Sequence, residues 1–527
     1  MRDLIVAVDI GTASARAGVF DRGGAMLARA DRSIAMRRPR ENHADHDSED
    51  IWRAVCASVR EACGLAGVAA GRVAAIGFDA TCSLVVRDRA GRPLAVSEDG
   101  DERWDTIVWL DHRALAEADF CTATRHPALL HAGEVMSPEM QMPKLMWLKR
   151  NRPEQWARAG YFFDLADFVT WRATGSPARS RCTTTAKWNY LAHEAQPWNE
   201  SFLAAIGLSD LTGRGGLPTE MLPAGRPVGR LTREAAADLG LDDGVVAGAG
   251  LIDAYAGALG VLGPYAGTPD VLERQFALVG GTSSCIVALS RQMKPGFGLW
   301  GPYYEAALPG FWLMEGGQSA AGALLDHLVR GHSAGGEPTA ARHAEIVARI
   351  AALRREEGAA FAARLHVLPD FHGNRSPFGD PHALGVISGL TLDASFDGLC
   401  RLYWRSAIAI ALGIRHVLEQ FEACGYAPEA LHLTGGHLRN PLLTELYRDV
   451  TGRPLVVTHE GDGMLLGTAM TAAVAGGLYP DLAAAGAAMY PGGRTLFPDP
   501  GRKAGYDRDY RRFLTLHRHR RELEAIN

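Results

Sequence analysis

No uncharged apolar run in this 527-residue chain approaches the ~18 residues that a membrane-spanning helix needs, so no membrane association is expected. Basic charge is not in excess either. Lysine and arginine number 55 against 60 aspartates and glutamates, a formal net charge of −5, which leaves no electrostatic footprint for nucleic acid. Any phosphate bound here must be held by local geometry. Cysteines are few and scattered. Cys56, Cys63, Cys82, Cys121, Cys182, Cys285, Cys400 and Cys424 include no CxxC pair, which reads as reduced thiols in a cytosol. The apolar part of Met1 to Asp9 is too short for a secretory signal and is cut off by an acid, so a cytoplasmic location is expected.

What is present is ordinary globular material, 47% hydrophobic and 22% charged, too long for one hydrophobic core. Leu4 to Val8 reads as a strand, Asp9 to Ser14 as a Gly/Thr/Ser turn, and Arg16 to Asp21 as a second strand, together a hairpin. Asp47 or Ser48 caps a helix through about Cys63, with Glu49 and Asp50 in its first turn. Val73 to Phe78 is a buried strand and Leu84 to Arg87 another. Half a chain later the opening layout recurs, because Phe276 to Leu289 is again strand, Gly280-Gly281-Thr282-Ser283 turn, strand. A duplicated layout predicts two facing domains, 1–262 and 263–527, with Gly260, Gly263, Pro264, Gly267 and Pro269 as linker. Leu399 to Cys424 has helical periodicity, and the strand Leu431 to Thr434 stops at Gly435-Gly436.

The two turns carry chemistry. Glycine lets backbone approach an anion closely, and turn N–H groups cradle it. An aspartate beside a phosphate is unfavourable unless a cation lies between them, so Asp9 next to Gly11 and Thr12 points to Mg²⁺. Two such hairpins, the second at Gly281 and Thr282, describe a nucleotide clamp. No GxxxxGK[ST] and no strand-to-helix GxGxxG occurs in the right setting, which disfavours a P-loop or Rossmann enzyme. The expected class is α/β, with two ribonuclease-H-like domains of the actin-like ATPase type facing across a cleft.

Longer segments resemble a known family. Leu433-Thr434-Gly435-Gly436-His437-Leu438-Arg439-Asn440-Pro441 with its continuation to Pro454, followed by Gly461-Asp462-Gly463-Met464-Leu465-Leu466-Gly467-Thr468-Ala469, resembles the C-terminal signature of the FGGY carbohydrate kinases. The resemblance runs from Ile5 to about Gly477 and implies that Gly435, Gly436 and Asn440 lie at the adenosine. Gly250 to Ala258 resembles the family's catalytic segment, which puts Asp253 on its general base. Glu315 and Gln318, in Met314 to Gly322, resemble sugar-pocket and domain-closure positions of ribulokinases. Asn374 to Pro381 resembles the GxRxP loop and reads as a rigid turn. Gly77 to Leu84 and Trp109 to Ala114 resemble the D-ribulokinase subgroup, and Thr183 to Asn189 its lysine segment. Thr81, Cys82, Ser83, Asp111, Arg113, Lys187 and Glu315 are therefore the expected sugar contacts, with Asp253 beside them.

The implied reaction is transfer of phosphate from ATP, with Mg²⁺, to a terminal hydroxyl of a pentulose, D-ribulose before L-ribulose, ribitol or D-xylulose. Asp9 would place the metal. Gly11, Thr12, Arg16, Gly281 and Thr282 would meet the phosphates, and Asp253 would take the hydroxyl proton. A filament-forming or chaperone ATPase of the same fold would not need the sugar blocks, and a sugar-sensing regulator would not need Asp9, Asp253 and Thr282 intact. His43, Asp45, His46 and Asp47 could be imagined as a metal set, but the segment reads as a solvated loop before a helix cap. One sequence does not reveal the oligomeric state; a homodimer stands as the assembly to test.

Overall fold

Both faces of the first strand are covered, and this sets the layering of the N-terminal region. The computed structural model describes residues 2–458 and 462–526. In the strand Leu4–Ile10 every residue is buried. Side chains alternate across a strand, so Val6, Val8 and Ile10 join a cluster with Ile51, Val55 and Val59 of the helix Ser48–Leu65. Ile5 and Ala7 instead meet Leu465, Ala469 and Ala472 of the helix Gly463–Ala475. Asp47 caps the first of these helices by accepting from Glu49 N and Asp50 N. Asp462 caps the second through Met464 N.

The sheet between these helices runs in the order Pro227–Arg230, Val246–Gly248, Val73–Ala80, Leu4–Ile10, Ser14–Phe20, Met26–Ser33. Leu4–Ile10 is antiparallel to Ser14–Phe20, with Asp9 opposite Arg16. It is parallel to Val73–Ala80, with Asp9 opposite Asp79. The short strand Leu251–Ile252 also runs parallel to Val73–Ala80, placing Leu251 opposite Asp79. The register therefore brings Asp9, Asp79 and Asp253 to the same carboxyl end of the sheet, where open α/β sheets bind ligands.

The second half repeats the plan. Gln275–Gly280 is followed by a turn and the strand Ser284–Ser290, and it runs parallel to Ala430–Thr434, which in turn is parallel to Leu455–Thr458. The long helix Phe396–Ala423 is capped by Ser395. The fold is α/β with two ribonuclease-H-like, actin-like units. By compactness, the first unit comprises Met1–Glu273, Val287–Glu315 and Thr458–Gly492, and the second Arg274–Ile286, Gly316–Val457 and Gly493–Asn527. The chain enters each unit more than once.

Two local expectations are corrected. Gly260, read as linker, lies inside the helix Asp253–Leu262. A Cβ there would stand 2.0 Å from the Gly463 carbonyl oxygen, so the glycine serves close helix packing. The segment at Asp45 and His46 is not solvated: both residues are fully buried. It forms a short strand antiparallel to Met36–Arg37 and to Thr106–Ile107, with Asp45 ion-paired to Arg113. All eight cysteines are free thiols. Among the described residues no helix is long and apolar enough to cross a membrane.

Candidate active site

In the first unit Asp9, Asp79 and Asp253, the first and last of them expected site residues, gather at the carboxyl end of the sheet. Asp9 is fully buried, and its Oδ2 lies 2.7 Å from Arg16 Nη2. The carboxyl also shares a hydrogen bond with Asp79, its neighbour in the ladder. Burial pushes the Asp9 carboxyl up to about 7 against the pull of Arg16, with Asp462 and Asp253 adding repulsion. Arg16 also reaches Asp462 Oδ2 at 3.4 Å. Asp79, opposite Asp9 in the ladder, is held well above the usual carboxylate range, first by burial and then by Asp9. Thr468 Oγ1 donates to its Oδ2 across 2.5 Å. The turn between the first two strands is closed by Gly11 N donating to Ser14 O at 3.0 Å. Thr12 Oγ1 accepts from the indole of Trp109 at 2.9 Å, and buried His46 lies against the Thr12 backbone.

Asp253 opens the helix Asp253–Leu262, and its side chain accepts from Ala254 N at 2.8 Å. Burial raises its pKa, partly offset by the Ala254 N–H, Arg16 and Lys187, while Glu315 raises it further. A carboxylate in this setting can take a proton from a hydroxyl near neutral pH. Lys187, at the end of the helix Arg181–Lys187, lies 3.4 Å from Glu315 Oε2 and 4.2 Å from the Trp300 ring centre. The Tyr255 hydroxyl donates to the same carboxylate oxygen at 2.7 Å. Lysine and glutamate are both buried, and such a pair persists only when its members are mutually satisfied.

Thr81, Cys82 and Ser83 follow the strand Val73–Ala80. The Thr81 and Ser83 hydroxyls lie 3.3 Å apart, and Ser83 Oγ accepts from Trp109 N at 3.1 Å. Burial pushes the Cys82 thiol up to about 12, so it is a neutral wall and not a nucleophile. Asp111 and Arg113 engage each other. Arg113 donates from Nε to Asp111 Oδ1 at 2.8 Å and from Nη2 to Asp111 Oδ2 at 2.7 Å, and it also donates to Asp45 and to Val96 O. The structure presents this arginine as a brace within its loop.

The second unit carries the other hairpin. Gly281 N donates to Ser283 O at 2.8 Å, and Thr282 O accepts from Ala321 N and Ala323 N at 3.0 and 3.1 Å. Gly435 has φ +87, and a Cβ on it would lie 2.5 Å from Gly280 O, so the Gly435-Gly436 turn passes directly over the hairpin. A Cβ on Gly280 would strike the His437 ring at 2.3 Å. That histidine is buried neutral, its pKa lowered to about 4 by desolvation. Asn440 caps the helix Pro441–Thr451 through Leu442 N at 3.0 Å. The Gln318 amide packs on Gly413, where a Cβ would stand 1.8 Å from Nε2. The Asn374–Asp380 turn is closed by reciprocal backbone bonds of 2.7 and 2.8 Å.

Asp79, Tyr255 and Asp462 complete these clusters and were not singled out from the sequence as site residues. The one local signal was that Asp79, like Asp9, ends an apolar strand.

The chain matches the family model of the N-terminal domain of the FGGY family of carbohydrate kinases over residues 4–260 and the C-terminal domain model over residues 276–476. It is 42% identical over 539 aligned positions to a human FGGY carbohydrate kinase domain-containing protein, covering 99% of this chain and 97% of the relative. It is 35% identical to a D-ribulokinase of Saccharomyces cerevisiae over 89% of this chain and 71% of that protein. A xylulose kinase from Rhodospirillum rubrum shares the fold with a TM-score of 0.77 at 24% identity, covering 99% of both chains. The domain matches span both halves of the chain, and the protein belongs to the FGGY family of carbohydrate kinases as an ATP-using sugar kinase.

Proposed function

We propose that this protein phosphorylates the terminal C5 hydroxyl of a pentulose, D-ribulose, at the expense of ATP, in the cytoplasm. The observation that carries the reading is the buried Lys187–Glu315 pair, which the hydroxyl of Tyr255, two residues after Asp253 on the same helix, joins at 2.7 Å. A base beside hydrogen-bonding groups of both signs suits a neutral polyol and not an apolar or anionic acceptor. The likeness to a D-ribulokinase supports the choice of sugar, and a likeness at 28% identity to a ribulokinase of Mycolicibacterium smegmatis supports a ribulose without distinguishing its enantiomers.

In this reading the Lys187 ammonium and the Glu315 carboxylate hold sugar oxygens, and Tyr255 fixes the glutamate. Thr81, Cys82 and Ser83 form the adjoining wall, and Asp111 and Arg113 keep their loop in place. Asp253 accepts the hydroxyl proton as the oxygen attacks phosphorus. Little covalent chemistry is asked of the protein; positioning and charge stabilisation supply the rate. Gly11, Thr12 and Arg16 in the first unit, and Gly281, Thr282, Gln318 and Asn440 in the second, serve the nucleotide, with Gly435 and Gly436 against the adenosine. A divalent cation, Mg²⁺, bound with the nucleotide supplies neutralisation of phosphate charge. Asp9 fits it as an oxygen ligand, directly or through water, because carboxylate oxygens suit a hard divalent cation and Asp9 stands with Asp79 at the same strand end.

The test is a panel of pentuloses and pentitols with coupled detection of ADP. D-ribulose is expected to exceed D-xylulose, L-ribulose and ribitol by roughly 10- to 100-fold in kcat/KM. A wrong epimer leaves buried polar groups unpaired at ~1–3 kcal/mol each, and ~1.4 kcal/mol is tenfold in rate. Equal or better turnover of any of the three would overturn the choice of sugar.

A further inference from the structure

Trp109 joins two parts of the first unit that the reaction uses separately. Its indole Nε1 reaches the hydroxyl of Thr12, in the turn of the first hairpin, at 2.9 Å. Its backbone N donates to Ser83 Oγ at 3.1 Å, in the segment assigned to the sugar. An indole N–H only donates, so Thr12 Oγ1 is the acceptor in this bond. With that lone pair engaged, the threonine's own proton cannot point back at the indole and is left for another acceptor, and Thr12 itself is half-buried.

The tryptophan is held firmly enough to act this way. It is 8% exposed. Lys144, from the helix Gln141–Asn151, donates from Nζ to Val108 O and to Trp109 O, each at 3.0 Å. This ammonium is completely buried, a costly placement unless its hydrogen bonds are made, so the peptide at 108–109 is pinned from beneath. Gln141 of the same helix donates to Cys82 O at 2.9 Å. One helix thus fixes both sugar-side segments, and Trp109 links them to the phosphate-side turn.

We propose that Trp109 is a positioning residue that aims the Thr12 hydroxyl at the ATP phosphates. This rests on the reading that Thr12 serves the phosphates. Lys144 is the support of Trp109 and does not touch substrate.

The experiment is a double-mutant cycle of Trp109→Phe and Thr12→Val on the full chain. It reads ADP affinity by calorimetry, with and without D-ribulose, and the separate KM values. Trp109→Phe is expected to weaken ADP binding and raise KM for ATP about tenfold, with KM for sugar changed less than twofold. In the Thr12→Val background the same substitution is expected to change ADP affinity less than twofold. An equal loss in both backgrounds, or no loss in the wild-type background, overturns the proposal. Thr12→Val alone decides the underlying reading: if it leaves ADP affinity and KM for ATP unchanged, Thr12 does not serve the phosphates, whatever Trp109 does. Should Trp109→Phe fail to fold, hydrogen exchange of the Trp109 indole N–H in ¹⁵N-tryptophan-labelled protein replaces it. Protection at least tenfold higher in wild type and Thr12→Ser than in Thr12→Val is expected, and equal exchange in all three overturns the proposal.

Discussion

Thr468 Oγ1 donates to Asp79 Oδ2 across 2.5 Å, joining positions 389 residues apart in the chain. Both side chains are fully buried, and Asp79 stands opposite Asp9 in the sheet. The helix Gly463–Ala475, late in the sequence, therefore supports the strand end that carries Asp9 and Asp79. Replacing the hydroxyl leaves a buried carboxyl without its donor, which costs about 1–3 kcal/mol. Thr468→Val is expected to lose that much in urea unfolding, and a loss below ~0.5 kcal/mol would show that this bond is not needed.

Asp253→Asn keeps the shape of the side chain and removes the proposed base. Sugar-dependent turnover is expected to fall ~10²–10⁴-fold, with ADP affinity by calorimetry within a factor of about three of wild type. Retention of more than roughly a tenth of the turnover would remove Asp253 from the role of base.

Asp9→Ala is expected to raise the Mg²⁺ concentration needed for half-maximal rate at least ~tenfold if, as proposed, the buried Asp9 carboxylate is an oxygen ligand of the cation. An unchanged Mg²⁺ titration, read at saturating ATP and sugar, would place the metal elsewhere.

Asp164 gives a pH prediction with a definite sign. Its pKa is raised to about 8 by burial and by Asp167, against the pull of Gln141 and Trp188, and Oδ1 has no hydrogen-bond partner. The unfolded chain releases this proton near pH ~4, whereas the folded protein keeps it until about 8. Its contribution is therefore complete below ~4 and is lost progressively as pH rises to about 8, with a slope of at most ~1.4 kcal/mol per pH unit. Asp164→Asn is expected to flatten that part of the stability curve and to melt higher than wild type at pH 8. Parallel curves of Tm against pH for the two proteins would refute the assignment.

Gly280→Ala tests the second hairpin. The added methyl would meet the buried His437 ring at 2.3 Å, and that ring is hydrogen-bonded through Nδ1 to the Tyr447 hydroxyl at 2.8 Å, so it has little freedom to yield. Overpacking of this kind costs about 1–3 kcal/mol, and ADP affinity should fall with it while sugar affinity holds. Wild-type ADP affinity in a folded Gly280→Ala protein would detach the hairpin from nucleotide binding.

Local physics made much of this molecule readable. Apolar runs ending in Asp9 and in Gly280 announce strands that stop at turns, because glycine, threonine and serine satisfy turn backbone without long-range help. Each copy of the repeated hairpin, the Asp47 cap and the long helix near Leu399 to Cys424 are legible for the same reason: each is specified by residues close to it in the chain. Asp253 was legible through its segment, not through its surroundings.

Contacts between distant segments were not legible. Lys187 meets Glu315 across 128 residues, Trp109 meets Thr12 across 97, and nothing near either member of a pair names the other. The burial of Asp45 and His46 was missed because polar residues before a helix cap look solvated until Arg113 supplies the countercharge. Gly260 looked like linker because the carbonyl it accommodates belongs to Gly463. Sequence periodicity and turn chemistry determine which elements form and where they end. Which carboxylate lies beside which, and what holds it, is decided by register and by helices that return from far along the chain, since burial energy depends on the final neighbours and not on the order in which they were joined.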